Sequence, residues 1–128
     1  MRQLASVGAA DHFMRWSDDG RFLYFRSSAL PQNSICRVAI DGGEVEPIGI
    51  PVGWHMSFSP DDSLILDAVG HKGLYVYPVD GTERRQVFVS DDPGARIDYP
   101  DWSADGRWVV FDRVVPRGGD VWLLEGLE

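Results

Sequence analysis

Apolar positions along the chain come in short runs rich in aromatic and β-branched side chains. They are Phe22-Leu23-Tyr24-Phe25, Ile35-Cys36-Arg37-Val38-Ala39-Ile40, Leu64-Ile65-Leu66, Leu74-Tyr75-Val76-Tyr77, Arg85-Gln86-Val87-Phe88-Val89, Trp108-Val109-Val110-Phe111 and Val121-Trp122-Leu123-Leu124. Segments containing Asp, Gly, Pro or Ser separate them, which is the punctuation of strands and turns. No segment combines a 3.6-residue apolar period with helix caps. The pattern predicts an all-β protein.

The runs repeat in a fixed order. Trp16-Ser17-Asp18-Asp19-Gly20-Arg21 returns as Phe58-Ser59-Pro60-Asp61-Asp62-Ser63 and as Trp102-Ser103-Ala104-Asp105-Gly106-Arg107, at spacings of 42 and 44 residues. A second motif follows each: Ile35 to Gly42, Leu74 to Gly81, and Val121-Trp122-Leu123-Leu124-Glu125-Gly126. A period of this length signals a repeat architecture whose units bury their faces against one another. Each period reads as four strands, A to D. A leads into the Trp-Ser or Phe-Ser pair, B is the aromatic run after it, and C is the second motif. D lies around Val45-Glu46-Pro47-Ile48 and at Arg85 to Val89. Asp-Gly pairs close the A–B and C–D hairpins because glycine accepts a positive φ. Asp62 takes the glycine's place in the second copy and can adopt the left-handed conformation at a cost of about 1 kcal/mol. Turn chemistry accounts for these aspartates before any acid or metal site does.

With these residues the chain resembles the TolB-type, WD-like β-propeller repeat, which carries Trp-Ser-Pro-Asp-Gly-Arg, an aromatic strand and an Ile-Tyr-x-Val-x-x-Asp-Gly hairpin. The resemblance spans nearly the whole chain. It implies blades of four antiparallel strands: 9–50, 51–91, and 92–128 with no strand D of its own. Family members serve as protein-interaction domains, as domains appended to bacterial kinases and as gating domains of serine peptidases. The second copy departs from the pattern with Asp67 where Phe25 and Phe111 stand in the others, and Asp67 is either a strand-end residue or a polar group in an inter-blade core. At the other terminus, Arg2-Gln3-Leu4-Ala5-Ser6-Val7 reads like Arg85-Gln86-Val87-Phe88-Val89-Ser90, so residues 1–8 are expected to be a strand D that completes a last blade. Three blades leave apolar faces uncovered. Propellers have four to eight blades, so a homodimer with six blades and exchanged N-terminal strands is expected. The rival is a C-terminal piece of a larger propeller-containing protein.

Composition narrows the partners. The net charge of -8 argues against nucleic acid and, less strongly, against an anionic membrane. Cys36 is the only cysteine, which excludes an intramolecular disulfide or a cysteine-built metal site. No apolar run has membrane-span length and Met1 to Ala5 does not begin a secretion signal, so the polypeptide as written is expected in the cytoplasm.

The resemblance also implies where function sits. The A–B and C–D turns lie on one face, and the B–C and D–A loops, expected to be longer and irregular, on the other. The B–C loops are read as Ser27 to Ser34, Ala68 to Gly73 and Arg113 to Gly119. The D–A loops are read as Gly8 to Phe13, Pro51 to His55 and Asp91 to Tyr99. Loops on a rigid scaffold concentrate binding residues. The candidates at the channel mouth are Asp11, His12, Trp54, His55, Arg96, Asp98 and Tyr99, with Trp54 and Arg96 as leading anchors. No metal is expected from His12, His55, Asp11 and Asp98, which share no ligand spacing. No cofactor is expected either. His71-Lys72 reads as solvated loop. No Gly-x-Ser-x-Gly elbow is present. The expected function is a non-catalytic scaffold for protein or small-ligand binding; the alternative is a hydrolase or lyase using channel-mouth acids or histidines.

Overall fold

A computed structural model of the chain describes residues 1–6, 8, 13–29 and 34–126, with the backbone alone at Pro51 and Gly118. The described residues form eleven strands and no helix. The first sheet is β1 (Met14–Trp16), β2 (Phe22–Ser27), β3 (Ser34–Ala39) and β4 (Glu46–Pro51), in chain order. The second repeats this plan with β5 (Met56–Phe58), β6 (Leu64–Val69), β7 (Gly73–Pro78) and β8 (Arg85–Val89). The third has three strands, β9 (Arg96–Trp102), β10 (Trp108–Val115) and β11 (Gly118–Glu125). Every pairing is antiparallel. These are the strands A to D of the repeat, one meander per period. The chain divides into two compact units, 1–52 and 53–128.

The A–B turns show why Ser and Asp recur. Ser59 Oγ accepts the Leu64 amide at 2.9 Å and donates to Asp61 Oδ1 at 2.6 Å, and Asp61 Oδ1 accepts the Ser63 amide at 3.0 Å. Ser17 with Asp19 and Ser103 with Asp105 repeat the arrangement. Each serine hydroxyl supplies one acceptor and one donor beside the backbone hydrogen bonds that close the corner. These hydrogen bonds, the Ser59 hydroxyl foremost, hold the Asp61 carboxyl down to about 2. Gly20, Asp62 and Gly106 occupy the same turn position with φ of 68°, 59° and 71°.

Strand alternation sets the core. In unit 53–128, Leu66 and Ala68 of β6 and Leu74 and Val76 of β7 pack on Ile97, Val109 and Phe111 of the third sheet, with Val87 and Phe88 of β8 at the margin. In unit 1–52, Phe25, Cys36 and Val38 form a cluster on which Leu23, Val45, Leu4 and Ala5 pack. Residues 1–6 belong to none of the strands, and Arg2 donates to the Ile40 and Asp41 carbonyls. Burial settles the place of Asp67. It is 1% exposed, and its Oδ2 accepts the Gly53 amide at 2.9 Å.

Two of the expected B–C loops are tight turns. Residues 70–72 join β6 to β7, and 116–117 join β10 to β11. The strands run further than the aromatic runs suggest because Ala68-Val69 and Val114-Val115 continue the ladder.

Gly106→Ala is expected to cost about 1 kcal/mol in urea unfolding, because the added Cβ meets Pro60 only at ordinary contact distance and the cost lies in the left-handed backbone. Asp62→Gly, at the equivalent corner, should change stability by under about 0.5 kcal/mol. The folded-state pKa of Asp61 is depressed, so its contribution is present above the unfolded carboxyl value near 4 and is lost as pH falls toward about 2. Asp61→Asn should therefore flatten the acid limb of the stability curve in that window.

Candidate functional site

The sequence places charged and aromatic residues next to the ends of the apolar strands, and one end of unit 53–128 gathers them. Asp98 of β9 is buried, and three donors converge on it. His55 Nδ1 lies 2.7 Å and His71 Nδ1 2.5 Å from Asp98 Oδ1, while Arg96 Nε lies 2.5 Å from Oδ2. Burial alone would raise the Asp98 carboxyl; the bonds from Arg96, His55 and His71 outweigh it and hold the group below its usual range. Tyr99 stacks on His55 with ring centroids 4.0 Å apart and remains 65% exposed. An Arg96 terminal nitrogen lies 3.4 Å from His71 Nε2.

Backbone geometry holds the cluster. The β9–β10 register shifts between Val110 and Asp112, a bulge that leaves Tyr99 at φ 48° beside Asp98. Bulges of this kind re-aim side chains at strand ends. His71 sits in the 70–72 turn at φ 58° and its carbonyl accepts the Ile97 amide at 2.9 Å, which ties the turn to β9. His55 is tied in turn, its carbonyl accepting the Ala68 amide at 3.1 Å. Just before it, a Cβ at position 53 would lie 3.0 Å from Asp67 Oδ1, so a side chain there would crowd that carboxylate. Two non-glycine residues in the left-handed region at one site mark stored backbone strain.

Of the residues singled out in the sequence, the structure brings together His55, Arg96, Asp98 and Tyr99. Trp54, next to His55, is half exposed. Asp11 and His12 lie outside the described residues. Arg96, Asp98 and Tyr99 stand on strand β9 and not on a loop, because Ile97 buries its side chain in the inter-sheet core and extends the ladder. His71-Lys72 is not a solvated loop: His71 is part of the cluster, and Lys72 Nζ donates to the Pro93 and Ala95 carbonyls. The signal was available, since strand polarity puts the β6–β7 turn at the same end as the segment before β5.

The arrangement offers two kinds of chemistry. With both Nδ1 atoms donating to Asp98, each imidazole presents its Nε2 as an acceptor, the state of a general base or a ligand. Alternatively, the ligand atoms of His55, His71 and Asp98, within 4.8 Å of one another, could hold a divalent metal through two nitrogens and one oxygen. The Arg96 guanidinium on the same carboxylate works against a second cation there.

No family model matches the chain. It is 28% identical over 114 residues to an uncharacterised protein, Atu1656, of Agrobacterium fabrum strain C58, a match covering 79% of this chain and 39% of that protein. Among solved structures it is similar to an Agrobacterium tumefaciens protein described as a TolB, with a TM-score of 0.67 and 18% identity over 95% of this chain and 47% of the other. It is also similar to an oligogalacturonate lyase solved in complex with manganese, with a TM-score of 0.70 and 19% identity over 99% of this chain and 38% of the other. The chain thus spans less than half the length of these proteins. The likeness shows the fold: all-β, with sheets of the TolB-type β-propeller.

Replacing Asp98 by Asn removes the charge that three donors share and should lower stability by about 2 kcal/mol in urea unfolding, with the far-ultraviolet circular dichroism unchanged.

Proposed function

We propose that this chain is a non-catalytic binding scaffold, working as a homodimer, whose ligand engages the end of the sheets carrying His55, His71, Arg96 and Tyr99. The observation that carries the reading is the buried Asp98 carboxylate, which locks two imidazoles and a guanidinium into one half-exposed array beside an exposed tyrosine. Rigid presentation of aromatic and arginine side chains lowers the entropy lost on binding and is the mark of interface anchors. The array suits a partner or small ligand that brings hydrogen-bond acceptors to Arg96 and a flat surface to Tyr99. Homodimerisation is favoured because Val110, Val121 and Leu123 of the third sheet are 42%, 79% and 52% exposed, an apolar face of the kind that marks an interaction surface. Its likeness to a TolB-type protein fits a scaffold.

A second reading rests on the same cluster. His55, His71 and Asp98 are a metal-capable set, and one structural neighbour is a lyase solved with manganese, so metal-assisted lyase or hydrolase chemistry is the competing proposal.

The two separate experimentally. For a ligand found by thermal-shift screening, Arg96→Gln and Tyr99→Ala should each weaken binding about tenfold, about 1.4 kcal/mol. Asp61→Asn, at the turn end of the sheets, should leave binding unchanged. Equal loss in the Asp61 variant would move the working face and remove the proposal. Titration with manganese or zinc should give no stoichiometric binding; a stoichiometric site lost in His71→Ala would favour the second reading.

A further inference from the structure

The two imidazoles on Asp98 are not equivalent. The Asp98 carboxylate is held ionised and can only accept, so His55 and His71 each donate through Nδ1 and each keeps a lone pair on Nε2. The His71 lone pair is already engaged. An Arg96 terminal nitrogen lies 3.4 Å from its Nε2, while Arg96 Nε donates to Asp98 Oδ2. Asp98, Arg96 and His71 therefore close a ring of hydrogen bonds that uses both nitrogens of His71. His55 stands outside that ring. Its Nδ1 is bonded to Asp98, its side chain is 23% exposed, and among the described residues nothing bonds to its Nε2.

What surrounds that nitrogen selects the ligand. Tyr99 stacks on the His55 ring with centroids 4.0 Å apart and stays largely exposed, so an aromatic surface lies beside the lone pair. The Arg96 side chain is more than half exposed, and its guanidinium has N–H groups beyond those that face Asp98 and His71. A ligand that uses all three features brings a proton to Nε2, an oxygen to the guanidinium and a flat ring to Tyr99. A phenol carries all of these in one group. A carboxylate brings oxygen but no proton for Nε2, and the chain's net charge of -8 disfavours an anion. An aliphatic hydroxyl brings the proton without the ring.

We infer that His55 Nε2 accepts the hydroxyl proton of a phenolic ligand, whose ring packs on Tyr99 and whose oxygen accepts from Arg96. His71 is a positioning residue: it holds Arg96 and Asp98 in place and does not touch the ligand. This rests on the reading of this end of unit 53–128 as the binding face, and it names the ligand of that face. The same chemistry is offered by a tyrosine side chain of a partner protein and by a small free phenol. One hydrogen bond and one aromatic contact are each modest, so selectivity for the hydroxyl is the mark of the site. The acceptor is preorganised, because Asp98 fixes the His55 tautomer and Tyr99 covers one face of its ring.

The test uses the intact chain at about pH 8, where ordinary imidazoles are neutral. Nitrogen-15 spectra of the histidine side chains should show His55 and His71 both protonated at Nδ1. Added p-cresol should shift the His55 Nε2 resonance and leave that of His71 in place. Benzoate, and p-methylanisole, which keeps the ring and lacks the hydroxyl proton, should leave His55 Nε2 unshifted. His55→Phe retains a ring against Tyr99 and should weaken p-cresol binding about tenfold, against under about threefold for His71→Gln. N-acetyltyrosinamide binding tighter than p-cresol identifies a partner's tyrosine as the source; the reverse order identifies a small phenol. A benzoate shift equal to that of p-cresol, or p-cresol binding unchanged in His55→Phe, overturns the inference. A ligand that depends on Arg96 and Tyr99 while His55 Nε2 stays unmoved overturns it too and leaves the binding face standing. If no ligand depends on Arg96 and Tyr99, both fall. Should His55→Phe fail to fold, the shifts in the unsubstituted chain still decide.

Discussion

Unit 53–128 and the site it carries depend on one contact, the apolar face of β6 and β7 against β9 and β10. A short β-meander has too little buried surface to stand alone. Leu66, Leu74 and Val76 are dry because Ile97, Val109 and Phe111 cover them. That packing also decides where the site residues go. Ile97 buries its side chain in the contact and donates its amide to the His71 carbonyl, so the residues on either side, Arg96 and Asp98, are delivered to the imidazoles. A change that loosens the core at Ile97 therefore loosens the site.

The polar cluster is the complement of that core. Asp98 is buried at the rim of the apolar layer and would be costly as a lone charge. Three donors from three segments compensate it, and the bulge at Tyr99 and the left-handed turn at His71 supply the geometry. At the opposite end of the sheets, Ser-Asp pairs close the corners with hydrogen bonds among their own side chains and the turn amides. The two ends thus use aspartate differently. Asp61 and Asp105 are satisfied by their own turns, whereas Asp98 organises side chains drawn from elsewhere in the chain.

Much of this was legible in the sequence and some was not. The repeat, the strand order within each period and the positive φ at Asp62 follow from local signals, because a hairpin corner is specified by the residues inside it. His55, Arg96, Asp98 and Tyr99 were legible as candidates because they lie between motifs. His71 was missed, since its role comes from a partner 27 positions away and nothing local distinguishes it from a solvated histidine. The tightness of the β6–β7 and β10–β11 turns was missed for a related reason: Val69 and Val115 extend a ladder whose partner strand, not local composition, decides its length. The burial of Asp67 depended on how closely Gly53 approaches, a packing fact that the repeat does not encode.

Whether the packing of the second sheet on the third holds the Asp98 cluster together is decided by amide hydrogen exchange in Ile97→Ala. The amides of Ala68 and residue 97, whose carbonyl partners are His55 and His71, should exchange faster in the variant, while those of β2 and β3, in the other unit, keep their protection. Unchanged protection at both amides in a variant whose core is weakened would contradict it.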